Sequence, residues 1–105
     1  MRLSDAQLRC LKFLKDHSHP HNHPGFHHGT LVANTDPNTL WPQARRASER
    51  TVLSLERAGL VEFVRYEWQQ GRDGKTSLSA QVRLTGKGLG AWLAACDRQP
   101  ALRSL

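Results

Sequence analysis

Hydrophobic residues recur at helical spacing in three stretches of the chain and alternate with polar residues in two others. An apolar stripe that runs to about Asp16 predicts the first helix: Leu8, Leu11, Leu14. Ser4 and Gln7 have the spacing of a capping box, in which each side chain accepts the other residue's backbone N–H. We therefore expect this helix to begin just after Ser4.

Helical spacing returns between Pro42 and Ala58. The small and apolar residues that recur there at intervals of three and four are Ala44, Ala47, Thr51, Val52 and Leu55. Proline is typical of helix starts, and Gly59 is typical of the left-handed residue that follows a helix. We therefore predict a helix over residues 42–58, with its arginines on the exposed side.

Two alternating stretches within residues 60–84 predict a β-hairpin. A three-residue loop at 72–74 keeps one face apolar by placing Val64, Tyr66 and Trp68 opposite Val82, Ala80 and Leu78. A two-residue turn at Asp73-Gly74 would place polar residues on that face instead. We therefore predict the longer loop, with Gly74 in the left-handed region.

A last helix is predicted over residues 85–96, with Thr85 as its N-cap. Its expected buried stripe consists of Leu89, Trp92, Leu93 and Cys96. Residues 97–105 contain a proline, and we expect them to form a tail outside a single domain of residues 1–96.

Residues 17–29 contain two prolines and two glycines and predict a loop. All six histidines of the chain lie in this segment: His17, His19, His21, His23, His27 and His28. Imidazole is the commonest ligand for transition metals, so the segment is a candidate site for zinc or a similar ion. Because no cysteine or paired carboxylate lies nearby to complete a tetrahedral site, we expect a polar loop and no resident cofactor.

Length and composition exclude several classes of protein. A chain of 105 residues with 38% hydrophobic residues can bury one core, which excludes a large multi-domain enzyme. No apolar run is long enough to span a bilayer, and Met1 to Asp5 lacks the features of a signal peptide, so we expect no membrane contact and a cytoplasmic location. Cys10 and Cys96 form no motif and are expected to be buried.

The chain is basic, with a net charge of +6. Two segments, Arg45–Arg57 and Arg65–Lys87, carry +2 and +3 of this charge. A localised positive charge on a small domain favours a polyanionic partner, most commonly nucleic acid.

The predicted order is helix, histidine-rich loop, short helix or turn, long helix, hairpin and final helix, which is the layout of a winged helix-turn-helix. Residues 48–61 read SERTVLSLERAGLV, and residues 83–88 read RLTGKG. These strings resemble the end of the recognition helix and the start of the post-wing helix in MarR-like and PadR-like bacterial transcriptional regulators. The expected fold is therefore a mostly α domain with a small β-hairpin, an α+β winged helix.

The resemblance implies a sequence-specific protein that binds double-stranded DNA and regulates transcription. Helix 42–58 would enter the major groove, and the hairpin tip would contact the DNA backbone or minor groove. The candidate DNA-binding residues are Arg45, Arg46, Glu49, Arg50, Arg57, Arg72 and Lys75. The resemblance also implies a homodimer, with Trp92, Leu93 and the tail as the expected interface.

Two other functions stay open. A winged helix can dock a protein partner, as in a phage or plasmid accessory protein, and Leu53 among the arginines of the helix favours that function. The second open function is that of a regulator that responds to a metal through the histidines. We expect no enzymatic activity, because the chain shows no paired carboxylates and no nucleophile with an adjacent base.

Overall fold

A computed structural model describes residues 2–18, 23–27, 29–33 and 45–104 of the chain. Its helices and strands follow in the order α1 (Asp5–His17), β1 (Gly25–His27), β2 (Thr30–Val32), β3 (Arg45–Arg46), α2 (Glu49–Arg57), β4 (Val61–Gln70), β5 (Thr76–Leu84) and α3 (Gly86–Arg98), and a 3-10 helix over Pro100–Ser104 ends it. All strand pairs are antiparallel, and the sheet order is β3-β2-β1-β5-β4.

The prediction of a mostly α winged-helix fold is wrong. The described residues form three helices and a five-stranded sheet, whereas we expected a two-stranded hairpin. The difference lies in β1, β2 and β3, which belong to segments that the sequence predicts as a loop, as a short helix or turn, and as the start of a long helix. Phe26 pairs with Leu31 on one side and with Ala80 of β5 on the other, so pairing with a distant strand determines the structure there.

The first helix begins as predicted. Ser4 Oγ accepts the Gln7 backbone N–H at 3.2 Å, and Gln7 Oε1 accepts the Ser4 N–H at 2.8 Å, which completes the capping box. The predicted stripe is confirmed, because Leu8, Leu11 and Leu14 are buried in the hydrophobic core. Cys10 and Phe13 of α1 are buried there with them.

The second helix is shorter than predicted. It begins at Glu49, because Ser48 Oγ accepts the Thr51 N–H at 3.1 Å and caps it there. Arg45 and Arg46 belong to β3, which pairs with β2, so they do not lie on a helix. Residues 42–44 lie outside the described part of the chain.

The hairpin register is confirmed for two of its three predicted pairs. Tyr66 lies opposite Ala80 and Trp68 opposite Leu78, and Gly74 has a φ of +80°. Val64 is displaced by a bulge, so that Phe63 faces Val82 instead. The bulge adds a residue to β4 near its start and leaves the register beyond it unchanged.

The last helix is rotated relative to the predicted stripe. Thr85 Oγ1 accepts the Gly88 N–H at 3.0 Å and caps the helix as expected. Its buried side consists of Gly88, Trp92 and Cys96, however, while Leu89 and Leu93 are exposed. Gly88 allows this rotation because it has no side chain to hold α3 away from the Leu60 carbonyl.

The expected C-terminal tail packs on the domain. The 3-10 helix contacts α3, and its Leu102 is buried in the hydrophobic core. Trp92 is only 1% exposed in the same core, which removes it from the expected dimer interface. Core residues come from all three helices and from β1, β2, β4 and β5, so the helices lie on one face of the sheet.

Candidate nucleic-acid interface

Three arginines line one groove at the start of α2. Arg9 comes from α1, and Arg45 and Arg46 come from β3. The groove has a volume of about 350 Å³ and also contacts Ser48, the N-cap of α2. None of the described residues that line it is acidic. We call this site the arginine groove; it is open to solvent and has one sign of charge.

The fold brings Arg9 to the groove across the α1–α2 contact. Arg9 is exposed on the side of α1 opposite the core. Arg9 was not among the predicted residues, because it is 36 positions before Arg45 and reaches the groove only through the packing of α1 against α2. Nothing in the spacing of these residues could have indicated the contact.

Backbone hydrogen bonds fix β3 and the start of α2. Arg46 lies opposite Thr30 in the ladder, and Ala47 donates to the Gly29 carbonyl at 2.9 Å. The chain then enters α2 at the Ser48 cap. The N–H groups of the first helical turn and the positive end of the helix dipole therefore lie beside the two arginines of β3.

The exposed side of α2 carries two further predicted residues. Arg50 and Arg57 are seven positions apart, which places them on the same side of the helix about 10 Å from each other. Both guanidinium groups are exposed and form no ion pair with a described residue. This side of α2 is therefore available to a partner.

Glu49 differs from the other predicted residues. Its Oε1 atom is buried and forms no hydrogen bond in the described part of the chain. Its position in the first turn of α2 also stabilises the helix through the dipole.

The hairpin tip carries the remaining two predicted residues. Gly71 donates to the Lys75 carbonyl at 2.7 Å, and Asp73 Oδ1 accepts the Lys75 N–H at 3.1 Å, so the loop is held by its own hydrogen bonds. Arg72 and Lys75 are exposed on it. The tip thus presents two positive charges beside one carboxylate on an ordered turn.

The arginine groove and the hairpin tip lie toward the same end of the sheet. One row of cross-strand neighbours runs Arg46, Thr30, His27, Ser79, Glu67. From Glu67, β4 continues three more residues toward the tip. Since β3 and β4 occupy opposite edges, the two basic regions are separated by about 19 Å across the sheet, at about 4.8 Å per strand.

The predicted basic residues are not neutralised within the described part of the chain. Ion pairs there join Lys12 and Lys15 to Asp16, and Arg83 to Glu62. Partial burial raises the pKa of Asp16, but hydrogen bonds from both lysines outweigh it and lower that pKa overall. None of these pairs includes a residue of the arginine groove or of the hairpin tip.

The histidines that the structure describes do not come together. His17 ends α1, where its ring stacks on Phe13 at 4.4 Å between centroids. His27 Nδ1 lies 2.7 Å from Ser79 Oγ on the sheet. Within the described ranges no group of three metal-ligating side chains is found. His19, His21 and His28 lie outside those ranges.

Both cysteines are buried and unpaired. Burial raises the pKa of the Cys10 thiol to about 12. Since the thiolate is the reactive form, we expect Cys10 of the native protein to resist Ellman's reagent between about pH 7 and pH 9, whereas Cys10 of the unfolded chain reacts increasingly over that range. A native Cys10 thiol whose reaction rate rises through the same range would contradict this expectation.

No helix in the described ranges has the length and hydropathy that crossing a bilayer requires. No protein-family model matches the chain, and no curated protein or solved structure is significantly similar to it. The resemblance to MarR-like and PadR-like regulators therefore gains no support from these comparisons.

Proposed function

We propose that this protein binds double-stranded DNA and regulates transcription. The observation that carries the proposal is the arginine groove: three arginines from two elements line one groove beside a helix N-terminus, and none of the described residues that line it is acidic. Arginine's planar fork matches the oxygens of a phosphate, and backbone N–H groups at a helix start also bind phosphate. A DNA strand supplies phosphates in the row that this groove and the hairpin tip require.

In the proposed complex, α2 lies in the major groove. The helix is nine residues long, and Arg50 and Arg57 share its exposed side. Arg50 is placed to bond guanine O6 and N7 together, which is the commonest specific contact in that groove. Sequence preference would therefore come from α2, while the groove and the tip position the protein on the backbone.

The hairpin tip gives the second phosphate contact. Arg72 and Lys75 lie on a turn that the Gly71–Lys75 hydrogen bond keeps ordered. Little chain entropy is then lost when the tip meets DNA. A second basic region about 19 Å from the first, across the sheet, would fix the orientation of α2 relative to the duplex. A DNA-binding role also fits the cytoplasmic location expected from the sequence.

Salt dependence tests this proposal directly. Five phosphate contacts, from Arg9, Arg45, Arg46, Arg72 and Lys75, predict a slope of about −4.5 for log K against log salt concentration. Replacing Arg45 and Arg46 by alanine should reduce the magnitude of that slope by about 1.8. Fluorescence anisotropy with a labelled duplex of randomised sequence measures both values, and sequencing the bound fraction identifies any preferred motif.

The matched control removes two arginines from another groove. Arg2 and Arg98 line a cavity beside Leu60, at the opposite end of α2. Arg2→Ala/Arg98→Ala should leave the slope nearly unchanged. Equal slopes for the two double variants would contradict a role for the arginine groove, and the absence of duplex binding at low salt would contradict the proposal as a whole.

A protein-interaction module is the second candidate function. The observation in its favour is the exposed apolar side chains of β4, among them Tyr66 and Trp68. Under this alternative, duplex binding would be weak and without a preferred motif. The anisotropy and sequencing experiment therefore separates the two functions.

A further inference from the structure

Strand β4 forms an open edge of the sheet. It is ten residues long, and among the described strands it pairs with β5 alone, since the sheet order ends at β4. An edge strand presents unpaired N–H and C=O groups, which another strand can bind. Its described length exceeds that of β1, β2 and β3, so it offers the longest free ladder in the described part of the fold.

The hydrogen bonds of the hairpin show which residues face this edge. Gly71 donates to the Lys75 carbonyl, which makes these two a hydrogen-bonded pair. Such pairs alternate with non-hydrogen-bonded pairs along an antiparallel ladder. Counting back along β4 from Gly71 in steps of two, the odd-numbered residues direct their backbone N–H and C=O groups toward β5. Tyr66 and Trp68, at even-numbered positions, direct theirs away from β5.

The residues that face outward are also unusually apolar for an exposed edge. Tyr66 is 63% exposed, Trp68 48% and Val64 43%. Natural edge strands are commonly protected by charged residues and bulges. The bulge of β4 lies between Phe63 and Arg65, and it leaves the aromatic part of the strand regular.

The charges of β4 flank Tyr66 with opposite signs. Arg65 lies opposite Gln81 and Glu67 opposite Ser79, so neither has a charged neighbour across the hairpin. Neither forms an ion pair with a described residue. Glu62, by contrast, is already paired with Arg83. The two unpaired charges are one position on either side of an outward-facing residue.

We propose that β4 pairs with β4 of a second copy of this chain, antiparallel and centred on Tyr66. A two-fold axis through this point places Arg65 opposite Glu67 of the second copy, and Glu67 opposite Arg65 of the second copy. Two complementary charge pairs then form on one face, and the two Tyr66 side chains meet on the other. The product is a continuous ten-stranded sheet.

The charge pattern selects this register over its neighbours. Centring the pair on Arg65 would bring the two copies of Arg65 together, and centring it on Glu67 would bring the two carboxylates together. Like charges directly opposite each other destabilise a pair of strands. A strand of a different protein would need the same alternation of sign and aromatic residue, which a second copy already has. This inference does not depend on the proposed DNA-binding function.

Charge reversal tests the register. We expect sedimentation velocity to show reversible dimerisation of the full chain, weakened about tenfold or more by Arg65→Glu or by Glu67→Arg, because each creates two like-charge pairs per dimer. The double variant Arg65→Glu/Glu67→Arg restores the complementary pairs and should restore dimerisation. The control is Glu56→Arg, which makes the same charge change as Glu67→Arg at an exposed position on α2. This variant should dimerise like the unmodified chain.

A cysteine at the centre gives an independent test. Tyr66 would face its own copy as a hydrogen-bonded pair, with Cα atoms about 5.5 Å apart, a distance that a disulfide spans. Tyr66→Cys should therefore form a covalent dimer on mild oxidation, while Cys10 and Cys96 stay buried. Gln69→Cys, on the same strand, would be about 20 Å from its own copy and should not cross-link.

Several results would overturn the proposal. A chain that stays monomeric at all attainable concentrations would do so, and so would a dimer that the reversed charges leave unchanged. A double variant that folds, by circular dichroism, but fails to recover dimerisation would exclude this register. Dimerisation without a Tyr66→Cys cross-link would place the interface elsewhere.

Discussion

Replacing Gly88 by alanine is expected to destabilise the protein by about 3 kcal/mol or more, at the upper end of the cost of overpacking. A Cβ atom at this position would overlap the Leu60 carbonyl oxygen and lie 2.9 Å from both the Leu60 carbonyl carbon and Leu84 Cδ1. Since backbone cannot move aside as a flexible side chain can, α3 would have to shift away from the sheet. The gain of about 1 kcal/mol in helix propensity is too small to compensate.

Gly90 provides the matched control on the same helix. Among the described residues, no atom other than those of the adjacent positions and the α3 backbone lies within 4 Å of the position that an alanine Cβ would take, so Gly90→Ala should stabilise the protein by about 0.5–1 kcal/mol. Urea unfolding followed by tryptophan fluorescence measures the change in the free energy of unfolding for both variants. We expect the Gly88 variant to lose about 12 °C or more in Tm, at about 4 °C per kcal/mol. Equal stability of the two variants would show that α3 does not depend on this close approach.

Reversing Arg46 and Arg50 to glutamate is expected to lower duplex affinity by about two orders of magnitude or more at low salt. In the proposed complex, each change would remove a contact with DNA and add a negative charge that repels phosphates. Arg46 lines the arginine groove and Arg50 is exposed on α2. Because neither forms an ion pair with a described residue, stability should change by no more than about 0.5 kcal/mol.

The same charge change elsewhere separates local from general electrostatics. Arg2→Glu/Arg98→Glu alters the net charge equally, but at the opposite end of α2. We expect it to weaken binding several-fold at most, through the long-range field, and this effect should disappear at physiological salt, where the Debye length is about 8 Å. Comparable losses for both double variants at that salt would mean that the total charge, and not the arginine groove, governs binding.

Local interactions made some elements predictable from the sequence. The Ser4 capping box, the Thr85 cap and the left-handed Gly74 each depend on residues within a few positions of one another. The hairpin register followed from keeping Ala80 and Leu78 on one apolar face. These features form wherever that short sequence is found in a compatible fold.

The central strands could not be predicted in the same way. Strands β1 and β2 have three residues each, and Phe26 pairs with Ala80, which is 54 positions away. A short segment rich in histidine and proline has little strand propensity of its own, so the partner strand determines its conformation. Pairing with β2 likewise draws Arg45 and Arg46 into β3, and α2 therefore begins only at Glu49.

The candidate site was predicted in part. Arg46, Arg50, Arg72 and Lys75 are exposed, as a role in binding requires. Arg9 was missed because only the packing of α1 against α2 brings it to the groove. Leu89 and Leu93 were expected in the core, but the small Gly88 takes the inner position and turns both leucines outward. Three-dimensional packing, which periodicity does not contain, explains both errors.

The order of the strands has a consequence for how the chain folds. Strand β1 lies between β2 and β5. It therefore lacks one of its two neighbours until β5, residues 76–84, has left the ribosome. A topology with such distant pairings has a high contact order, and high contact order slows folding. We therefore expect α1 and the hairpin to form early and the five-stranded sheet to close last, in a single slow step that requires nearly the whole chain.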